Sequence, residues 1–419
     1  MSNQSEFFFV IQPRSPLVFR SGELFGNGAA PGASLGWPMP STAAGAARAA
    51  LADATDRVPA VGKPETHAAL RKIAEAGPFL TAWRINGDAI PTEIVWYAPK
   101  PADALYVKVP RRGITLRRLH PRSEDRTSDL PFSLVPVGEA SADAPAKACE
   151  ANPFWSWSSM LDWLNGEEQS DIGTLDTGEQ ASPGPQRDSR AQLAIDPTRH
   201  VSIDGTLRQT TALGFGVRPN GLSQKHVSAY AMGLGVRLQC DEAASEKLNG
   251  TVCRMGADAK TVRYKKSIAP SAVDTKSALD SSLQALKCGD VFRLILVTAG
   301  VFNAGWHPDW LHPSESNAGP SMLRGDLPII GTSVTLVAAA VEKSTWHSRW
   351  SMEHNHALAS LRVVPAGTVY WFRFDEQPPA HWHRTLWLRS ICDDTQNKLD
   401  GCALAVLGTI SNTEPEAEQ

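Results

Sequence analysis

The stretch Phe7-Phe8-Phe9-Val10-Ile11 is short and fully apolar, and its composition predicts a buried β-strand. The strand breaks at Gln12-Pro13, and the chain then carries two arginines, Arg14 and Arg20, before a turn at Ser21-Gly22. A strand end with two cations beside a glycine turn is a candidate anion-binding segment. The rest of the fold is predicted outward from this stretch.

A helix follows the first strand. A loop of small residues over 26–32, which contains Asn27, leads to an alanine-rich stretch that predicts a helix over 43–54 with Ser41 or Thr42 as N-cap. Two interpretations of this helix are open. It is either a tightly packed core helix, which composition alone favours, or part of a βα unit in which Arg14, Arg20 and the glycine loop hold a polyanion at the helix N-terminus.

The composition is that of an ordinary globular protein with room for two domains. The chain has 419 residues, of which 42% are hydrophobic and 20% are charged, and its net charge is −3. The overall charge therefore gives no sign of nucleic-acid binding, which would need local basic patches. Six cysteines form no C-x-x-C pair. No signal-like or membrane-length apolar segment occurs, so we expect a soluble, cytoplasmic protein.

A locally basic run lies between Lys108 and Arg126 and includes Arg111 and Arg112. Its cations alternate with apolar residues at the period of a strand, which indicates one cationic face on a sheet.

Residues 138–197 have the composition of an inserted mobile loop, with eleven acidic and three basic residues among many Ser, Gly and Pro. Within them, Phe154, Trp157, Leu161 and Leu164 share one face of a predicted helix. That helix either packs on its own domain or docks a partner, and the pattern does not decide between the two.

The remaining patterns divide the chain into two units. Strands are predicted over 200–215, 230–239 and 252–264, a helix over 277–287, and further apolar strands over 290–299, 333–341, 364–372 and 400–408. We predict an N-terminal domain over 1–285, with the acidic insertion 138–197 and a strand-pair region over 200–266. The C-terminal domain covers 286–419 and ends in a disordered acidic tail.

Signals for catalysis or metal binding are weak. His354 and His356, like His381 and His383, have the spacing of two ligands on a strand, but no cluster of cysteines or carboxylates completes either site. The sequence has no Walker A loop, no G-x-S-x-G and no adjacent Gly-Gly-Asp-Asp. We predict no catalytic residue, no metal and no cofactor. Four tryptophans are expected in the core and not as stacking platforms: Trp306, Trp310, Trp346 and Trp350.

Several stretches occur in a specific order along nearly the whole chain: Pro16-Leu17-Val18-Phe19-Arg20-Ser21-Gly22, Pro40-Ser41-Thr42-Ala43-Ala44-Gly45-Ala46-Ala47-Arg48, His200-Val201-Ser202-Ile203-Asp204, residues 292–298 with 301–302, Gly305-Trp306-His307-Pro308-Asp309-Trp310, residues 364–372 and Asp400-Gly401. In this order they resemble the RAMP (repeat-associated mysterious protein) superfamily of CRISPR systems. More narrowly, the chain resembles the subunit that caps the crRNA 5′ end in type III-B (Cmr) effector complexes.

Two stretches depart from the family pattern. The family's glycine-glycine-acid-arginine element is present here as Met255-Gly256-Ala257-Asp258, and the last glycine-rich strand has Ala403 where a second glycine is expected. Each departure puts a Cβ where the backbone is expected to approach RNA or another strand closely.

The resemblance implies an α+β fold of two ferredoxin-like (RRM-type) domains with antiparallel sheets and an inserted hairpin or loop region. It also implies a non-catalytic protein that binds the repeat-derived 5′ tag of the crRNA. Its partners would be the large cyclase-like subunit and the backbone RAMP subunit, with target RNA met indirectly and no membrane. We expect the RNA contacts at Arg14, Arg20, Ser21, Gly22, Asn27, Arg48, Arg111, Arg112, His200, Arg208, Arg254, Lys260 and Arg263.

Two other functions are considered. Some RAMP relatives process precursor crRNA, and a metal-independent endoribonuclease of that kind would use His200 as a general base. A scaffold that contacts only proteins is the third possibility. It predicts that reversing the charge of Arg14, Arg20 and Arg48 leaves crRNA retention unchanged.

Overall fold

The computed structural model describes residues 5–21, 34–54, 64–84, 93–109, 113–122, 130–139, 147–150, 152–166, 180–216, 218–219, 229–269, 279–314, 321–351 and 354–410. Across these ranges, no helix is both long and apolar enough to span a bilayer.

The helices are short apart from the first. They are α1 Pro40–Ala54, α2 Pro64–Arg71, α3 Trp157–Leu164, α4 Glu242–Leu248, α5 Asp280–Gln284, α6 Trp382–Leu386 and α7 Thr395–Leu399, with one 3₁₀ turn at Pro131–Ser133. Because α1 begins at Pro40, Ser41 and Thr42 lie in its first turn, and the prediction that one of them is the N-cap is wrong. The helix predicted over 277–287 is limited to α5.

The strands before the predicted boundary are β1 Ser5–Pro13, β2 Glu75–Arg84, β3 Ile94–Pro99, β4 Ala104–Val109, β5 Gly113–Pro121, β6 Val137–Glu139, β7 Lys147–Ala148, β8 Phe154–Ser156, β9 Ala181–Ser182, β10 Gln186–Gln192, β11 Arg208–Gly214, β12 Arg218–Pro219, β13 Ala229–Cys240, β14 Val252–Arg254 and β15 Thr261–Ser267. The strands after it are β16 Val291–Leu296, β17 His312–Pro313, β18 Leu323–Asp326, β19 Ser333–Ala340, β20 Thr345–Ser351, β21 His356–Val363, β22 Val369–Phe374, β23 Arg389–Ser390 and β24 Leu404–Thr409.

The first large sheet has the order β14-β15-β1-β13-β2-β3-β8-β9, with β12 added beside β13. Helix α1 connects β1 to β2, and α4 connects β13 towards β14 and β15. The small side chains of α1, among them Ala43 and Ala47, pack on Phe9 and Leu234 in one buried cluster. The apolar run at the start of the chain is therefore a central strand, and α1 is a core helix, as its composition favours.

The second large sheet has the order β17-β18-β19-β22-β16-β24-β23. Its central strands are nearly continuous apolar runs, as the fully buried Leu294, Tyr370 and Leu407 show. Three smaller sheets complete the fold: the hairpins β10–β11 and β20–β21, and the four-stranded sheet β6-β5-β4-β7.

The predicted mixture of α and β structure with antiparallel sheets is confirmed. The orders β15-β1-β13-β2 and β24-β16-β22-β19 are those in which the four strands of a βαββαβ unit lie side by side. No helix occurs between β16 and β19 in the part of that connection that the structure describes. The assignment to two ferredoxin-like domains and the boundary at 285 stay predictions.

The described parts of the acidic segment 138–197 do not form the mobile loop that its composition predicts. They contain the end of β6, the strands β7 to β10 and α3, and Trp155, Trp157 and Trp163 are almost wholly buried. Burial of three large aromatic side chains outweighs the polar composition of the segment. Phe154 lies in β8 and not in the helix, and α3 begins at Trp157, with Ser156 Oγ accepting from Ser159 N at 3.2 Å. The apolar side chains of α3 are buried in its own chain, which favours packing over docking a partner.

A buried ion pair joins β16 of the second large sheet to the connection between β3 and β4. Arg293 on β16 donates from Nη1 to Asp103 Oδ2 at 2.7 Å, from Nη2 to Trp163 O at 2.8 Å and from Nε to Thr409 O at 3.0 Å. Trp163 Nε1 donates to the other carboxylate oxygen of Asp103 at 2.9 Å. The Arg293 side chain is 2% exposed and that of Asp103 is 0% exposed, so both charges are buried and matched.

Candidate nucleic-acid interface

The chain that leaves β1 is held by neighbours on several sides. Leu17 exchanges backbone hydrogen bonds with Leu213 of β11, at 2.9 and 2.7 Å, and Phe19 O accepts from Leu35 N at 2.8 Å. Leu17, Val18 and Phe19 are buried, whereas Arg14 and Arg20 are exposed. The apolar residues thus anchor this segment, and the two arginines point away from the core.

The turn between β14 and β15 lies against the same segment. Ala257 N donates to Val18 O at 2.8 Å, and a Cβ on Gly256, whose φ is +76°, would lie 2.5 Å from that same oxygen. Gly256 therefore needs to be glycine, while the departure from the family at Ala257 is accommodated. Arg20 Nη2 lies 3.4 Å from Asp258 Oδ1, with the arginine side chain 57% exposed, so this ion pair is weak.

The strand register collects three predicted residues on one surface. Arg254 lies opposite Thr261, and Arg14 N donates to Thr261 O at 3.0 Å. Arg254 and Arg14 therefore lie on either side of Thr261, in one row across the end of the sheet. Arg263 lies on the same face one step along β15, because side chains two residues apart share a face. The half-buried Arg263 has an Nε with no hydrogen-bond partner among the described residues. We call Arg14, Arg254 and Arg263 the basic row.

Lys260 precedes β15 and is half-buried. Its backbone oxygen accepts from Met255 N at 2.9 Å, which closes the turn beside the basic row. Lys260 and Arg20 therefore flank the row on the side of the Gly256 turn.

A groove of about 470 Å³ opens beside Arg14. One wall is the segment from Pro13 to Pro16, and the other is the base of the β10–β11 hairpin, which contributes Arg187. Arg187 is not among the residues predicted from the sequence, because its segment has the composition of an acidic loop. Residues 186–190 are all polar, so they carry no apolar alternation that would have predicted a strand.

Arg187 also lines a second cavity of about 370 Å³, which lies between the two large sheets. Its walls are mainly apolar and include Trp37, Tyr97 and Phe154. The rings of Trp37 and Phe154 are 4.7 Å apart, and Trp37 Nε1 donates to Pro78 O at 3.2 Å. The two cavities thus share Arg187 in their linings, and the second is mainly apolar.

Arg48 has another place in the structure. Its guanidinium donates to Asp400 Oδ1 at 2.5 Å and to the backbone oxygens of Ile73 and Leu399, and its side chain is 11% exposed. These partners tie α1 to the second unit. They favour a structural role for Arg48 over the predicted RNA contact, and the basic row does not include it.

His200 and Arg208 belong to the far end of the β10–β11 hairpin. Gln186 pairs with Gly214 beside the groove, and Gln192 pairs with Arg208 six residues along, which is about 20 Å at the rise of a strand. His200 lies in the connection beyond that pair and is exposed, with φ of +53°. The structure therefore does not bring these two residues to the basic row.

The other predicted residues divide into two groups. Ser21 forms an isolated bridge with His347 of β20. Gly22, Asn27, Arg111 and Arg112 lie outside the described residues.

His347 holds the β20–β21 hairpin against the first unit. Its Nε2 lies 3.3 Å from Ser41 Oγ, and Ser348 Oγ donates to Ser21 O at 3.4 Å. Burial and, to a smaller extent, the nearby Arg349 lower the pKa of His347 to about 4, so the ring is neutral near pH 7.

Within the described residues, no group of three or more His, Cys, Asp or Glu side chains is arranged to hold a metal ion. His383 Nε2 lies 2.8 Å from Asp280 Oδ1, and the rings of His354 and His356 are 5.8 Å apart. The described part of the site thus offers cations, backbone groups and an apolar cavity.

A family model described as CRISPR-associated protein (Cas_Cmr3) matches residues 9–410. The chain therefore belongs to this family, and its resemblance to RAMP-type subunits of type III-B systems is confirmed. It is accordingly a subunit of a CRISPR complex. No curated protein sequence matches the chain.

Solved structures give low similarities. A chain of the type III-B Cmr-beta complex bound to cognate target RNA and AMPPnP, in state 1, has 13% identity and a TM-score of 0.46, covering 87% of this chain and 86% of that chain. A chain of the same complex bound to cognate target RNA has 14% identity and a TM-score of 0.45, with the same coverage of 87% and 86%. A chain of the type III-A Csm3-Csm4 subcomplex has 8% identity and a TM-score of 0.35, covering 88% and 94%. The family assignment rests on the sequence match.

Proposed function

We propose that this chain is the non-catalytic crRNA-binding subunit of a type III-B CRISPR RNA-targeting complex. It recognises the repeat-derived 5′ tag and bridges the large cyclase-like subunit to the backbone RAMP subunit, in the cytoplasm. The observation that carries the proposal is the basic row. Arg14, Arg254 and Arg263 come from three neighbouring strands and lie on one surface, and Arg14 also lines the groove.

The site is suited to a single strand of RNA. Arginine guanidinium groups bind phosphate oxygens by charge-assisted, often bidentate hydrogen bonds, and such contacts set the path of the backbone. The apolar cavity with Trp37 and Phe154 can accept a splayed base next to the phosphates held by Arg14 and Arg187. The guide portion beyond the tag is then left for base pairing with the target, which is how the subunit meets target RNA.

Salt dependence of binding tests the basic row. When a protein neutralises one phosphate fewer on a single strand, the slope of log affinity against log salt falls by roughly 0.7. We expect Arg14→Ala and Arg254→Ala each to lower the slope by about that amount for single-stranded tag RNA, measured by fluorescence anisotropy over a salt series. Arg384→Ala is the matched control, because Arg384 is not part of the basic row and its guanidinium is paired with Asp280. Unchanged slopes in both row variants would remove the row as a phosphate site.

The assignment within the complex is tested by co-expressing the tagged chain with its neighbouring genes and a CRISPR array. The RNA that co-purifies is sequenced and crosslinked. We expect short RNAs with one repeat-derived 5′ end that crosslink to this chain through that end. Complexes with full RNA content after charge reversal of Arg14 and Arg254 would favour a protein-only scaffold. Cleavage of repeat RNA that disappears in His200→Ala would favour the endoribonuclease.

A further inference from the structure

The β20–β21 hairpin exposes two tryptophans on one face. Trp346 is 40% exposed and Trp350 is 57% exposed, whereas His347 and Ser351, which face the other way, are buried. Trp306 and Trp310 are half-buried, with Trp310 Nε1 donating to Ile391 O at 3.1 Å. The expectation that all four tryptophans lie in the core is therefore wrong for Trp346 and Trp350. An exposed tryptophan ring offers its π face to a partner.

One cation accompanies these rings. The guanidinium of Arg362 lies 5.2 Å from the ring centre of Trp346, its partner across the hairpin. Arg349 is also on β20, but it pairs with Leu358 and lies on the opposite face. The described residues of the hairpin include no Asp or Glu. Aromatic rings interleaved with positive charge are the surface chemistry of proteins that bind single-stranded nucleic acid.

The surroundings of the rings do not suit a protein partner. On the exposed face, Ser348 lies between the two tryptophans, and their cross-strand neighbours are Arg362 and Ala357. The rings are therefore separate and not part of a continuous apolar patch, which a stable protein interface needs at its centre.

The hairpin is continuous with the proposed RNA site. The bridge from Ser21 to His347 places β20 directly beside the segment that carries Arg14 and Arg20. The hairpin therefore adjoins the segment that carries the two arginines.

We propose that the β20–β21 hairpin is a stacking surface for unpaired bases of the same crRNA strand. Trp346 and Trp350 are four residues apart on one strand, about 13 Å, which far exceeds the ~3.4 Å between stacked bases. Each ring therefore stacks on a separate, splayed base. This inference rests on the proposed function, and it adds an uncharged contribution to RNA affinity from the second unit.

The test measures binding of the full-length chain to fluorescein-labelled single-stranded tag RNA and to the same RNA annealed to its complement. We expect Trp346→Ala and Trp350→Ala each to weaken single-strand binding about 5- to 150-fold, the range for removal of one base stack. The salt slope stays unchanged, because a stack carries no phosphate charge. The duplex, whose bases are already stacked, is bound with unchanged affinity.

Two further variants control for damage to the hairpin. Trp350→Phe keeps a ring and retains most of the affinity. Leu358→Ala removes an exposed apolar side chain, 38% exposed, from the opposite face of the hairpin, since Leu358 pairs with Arg349. We expect this variant to bind RNA with unchanged affinity.

The outcomes separate the two proposals. If Arg14→Ala lowers the salt slope but neither tryptophan variant changes affinity, the tag-binding function stands and the stacking surface is rejected. If the tryptophan variants bind RNA normally but no longer co-purify with the other subunits, the hairpin is a protein contact and the proposal is overturned. An equal drop in affinity for single-stranded and duplex RNA would also overturn it.

Discussion

Glu75 is a buried carboxyl group at the junction of the two large sheets. The residue is 4% exposed, and neither carboxyl oxygen has a hydrogen-bond partner among the described residues. Burial raises the pKa of Glu75 well above its usual range, Arg48 lowers it in part, and Asp400 raises it again. Arg48 is already committed to Asp400, so the junction holds one matched pair and one acid with a strong preference for its neutral form.

The stability of the folded chain should therefore depend on the protonation of Glu75. Its folded pKa is above the unfolded value of about 4.3, so the folded state binds more protons. The stabilising contribution is complete below the unfolded pKa and is lost as the pH rises through the folded pKa. We expect the stability of Glu75→Gln to fall less than that of the wild type as the pH rises, because glutamine carries no titrating proton. The stability is measured as the denaturant midpoint at each pH. If stability changes with pH in the same way in the wild type and in Glu75→Gln, Glu75 does not titrate in this range.

Single residues also show how far the sequence predicts the site. Arg14 and Arg20 could be chosen from the sequence because they are cations at a strand end, and Arg254 followed from the family resemblance. The pairing of Arg48 with Asp400 could not be predicted from the sequence, because 352 residues separate the partners. A cation and its buried anion are brought together only by the tertiary fold, and composition near Arg48 carries no sign of Asp400.

The turn between β14 and β15 is the element that fixes the exposed arginine segment. Gly250 and Gly256 both have positive φ, +90° and +76°, but a Cβ on Gly250 meets nothing within 4 Å, whereas one on Gly256 meets Val18 O at 2.5 Å. The two glycines therefore have a similar φ but differ in the room that is available for a Cβ atom.

Substituting alanine at both positions isolates the close approach to Val18. Left-handed backbone costs an alanine roughly 1–2 kcal/mol, so we expect Gly250→Ala to destabilise the protein by about that amount. Gly256→Ala should cost more, because Val18 must also move, and should weaken RNA binding by displacing the segment with Arg14 and Arg20. Both are read from urea midpoints and from tag RNA affinity. Equal losses of stability in the two variants would mean that the segment with Val18 moves away from the new Cβ atom at little energetic cost.

Some secondary-structure elements were predicted correctly from the sequence and others were not. Long apolar runs such as β1 and β22 were identified, because fully buried strands have an unmistakable composition. The segment 138–197 was misjudged because its acidic residues dominate the average, while the three tryptophans that decide its burial are few. The β20–β21 hairpin was missed as a surface element, because the sequence does not show which face of a strand is covered.

At the scale of the whole molecule, the buried pair of Arg293 and Asp103 connects β16 to the segment between β3 and β4. Removing one partner leaves an uncompensated buried charge, which costs about 3–5 kcal/mol. We expect that destabilisation for Arg293→Met, measured by chemical unfolding. The double variant Arg293→Met with Asp103→Leu should recover most of it, because no charge remains buried. Additive destabilisation in the double variant would contradict a pairwise link.

The apolar core crosses the predicted domain boundary. One continuous cluster contains Phe79, Trp96 and Trp155 from the first sheet and Leu294 and Trp371 from the second. The first sheet therefore has its α1 face covered by its own helices and its other face covered by strands that come later in the sequence. During synthesis the first unit emerges from the ribosome before those strands have been translated. The nascent chain then has an uncovered aromatic face until the strands of the second sheet have been translated.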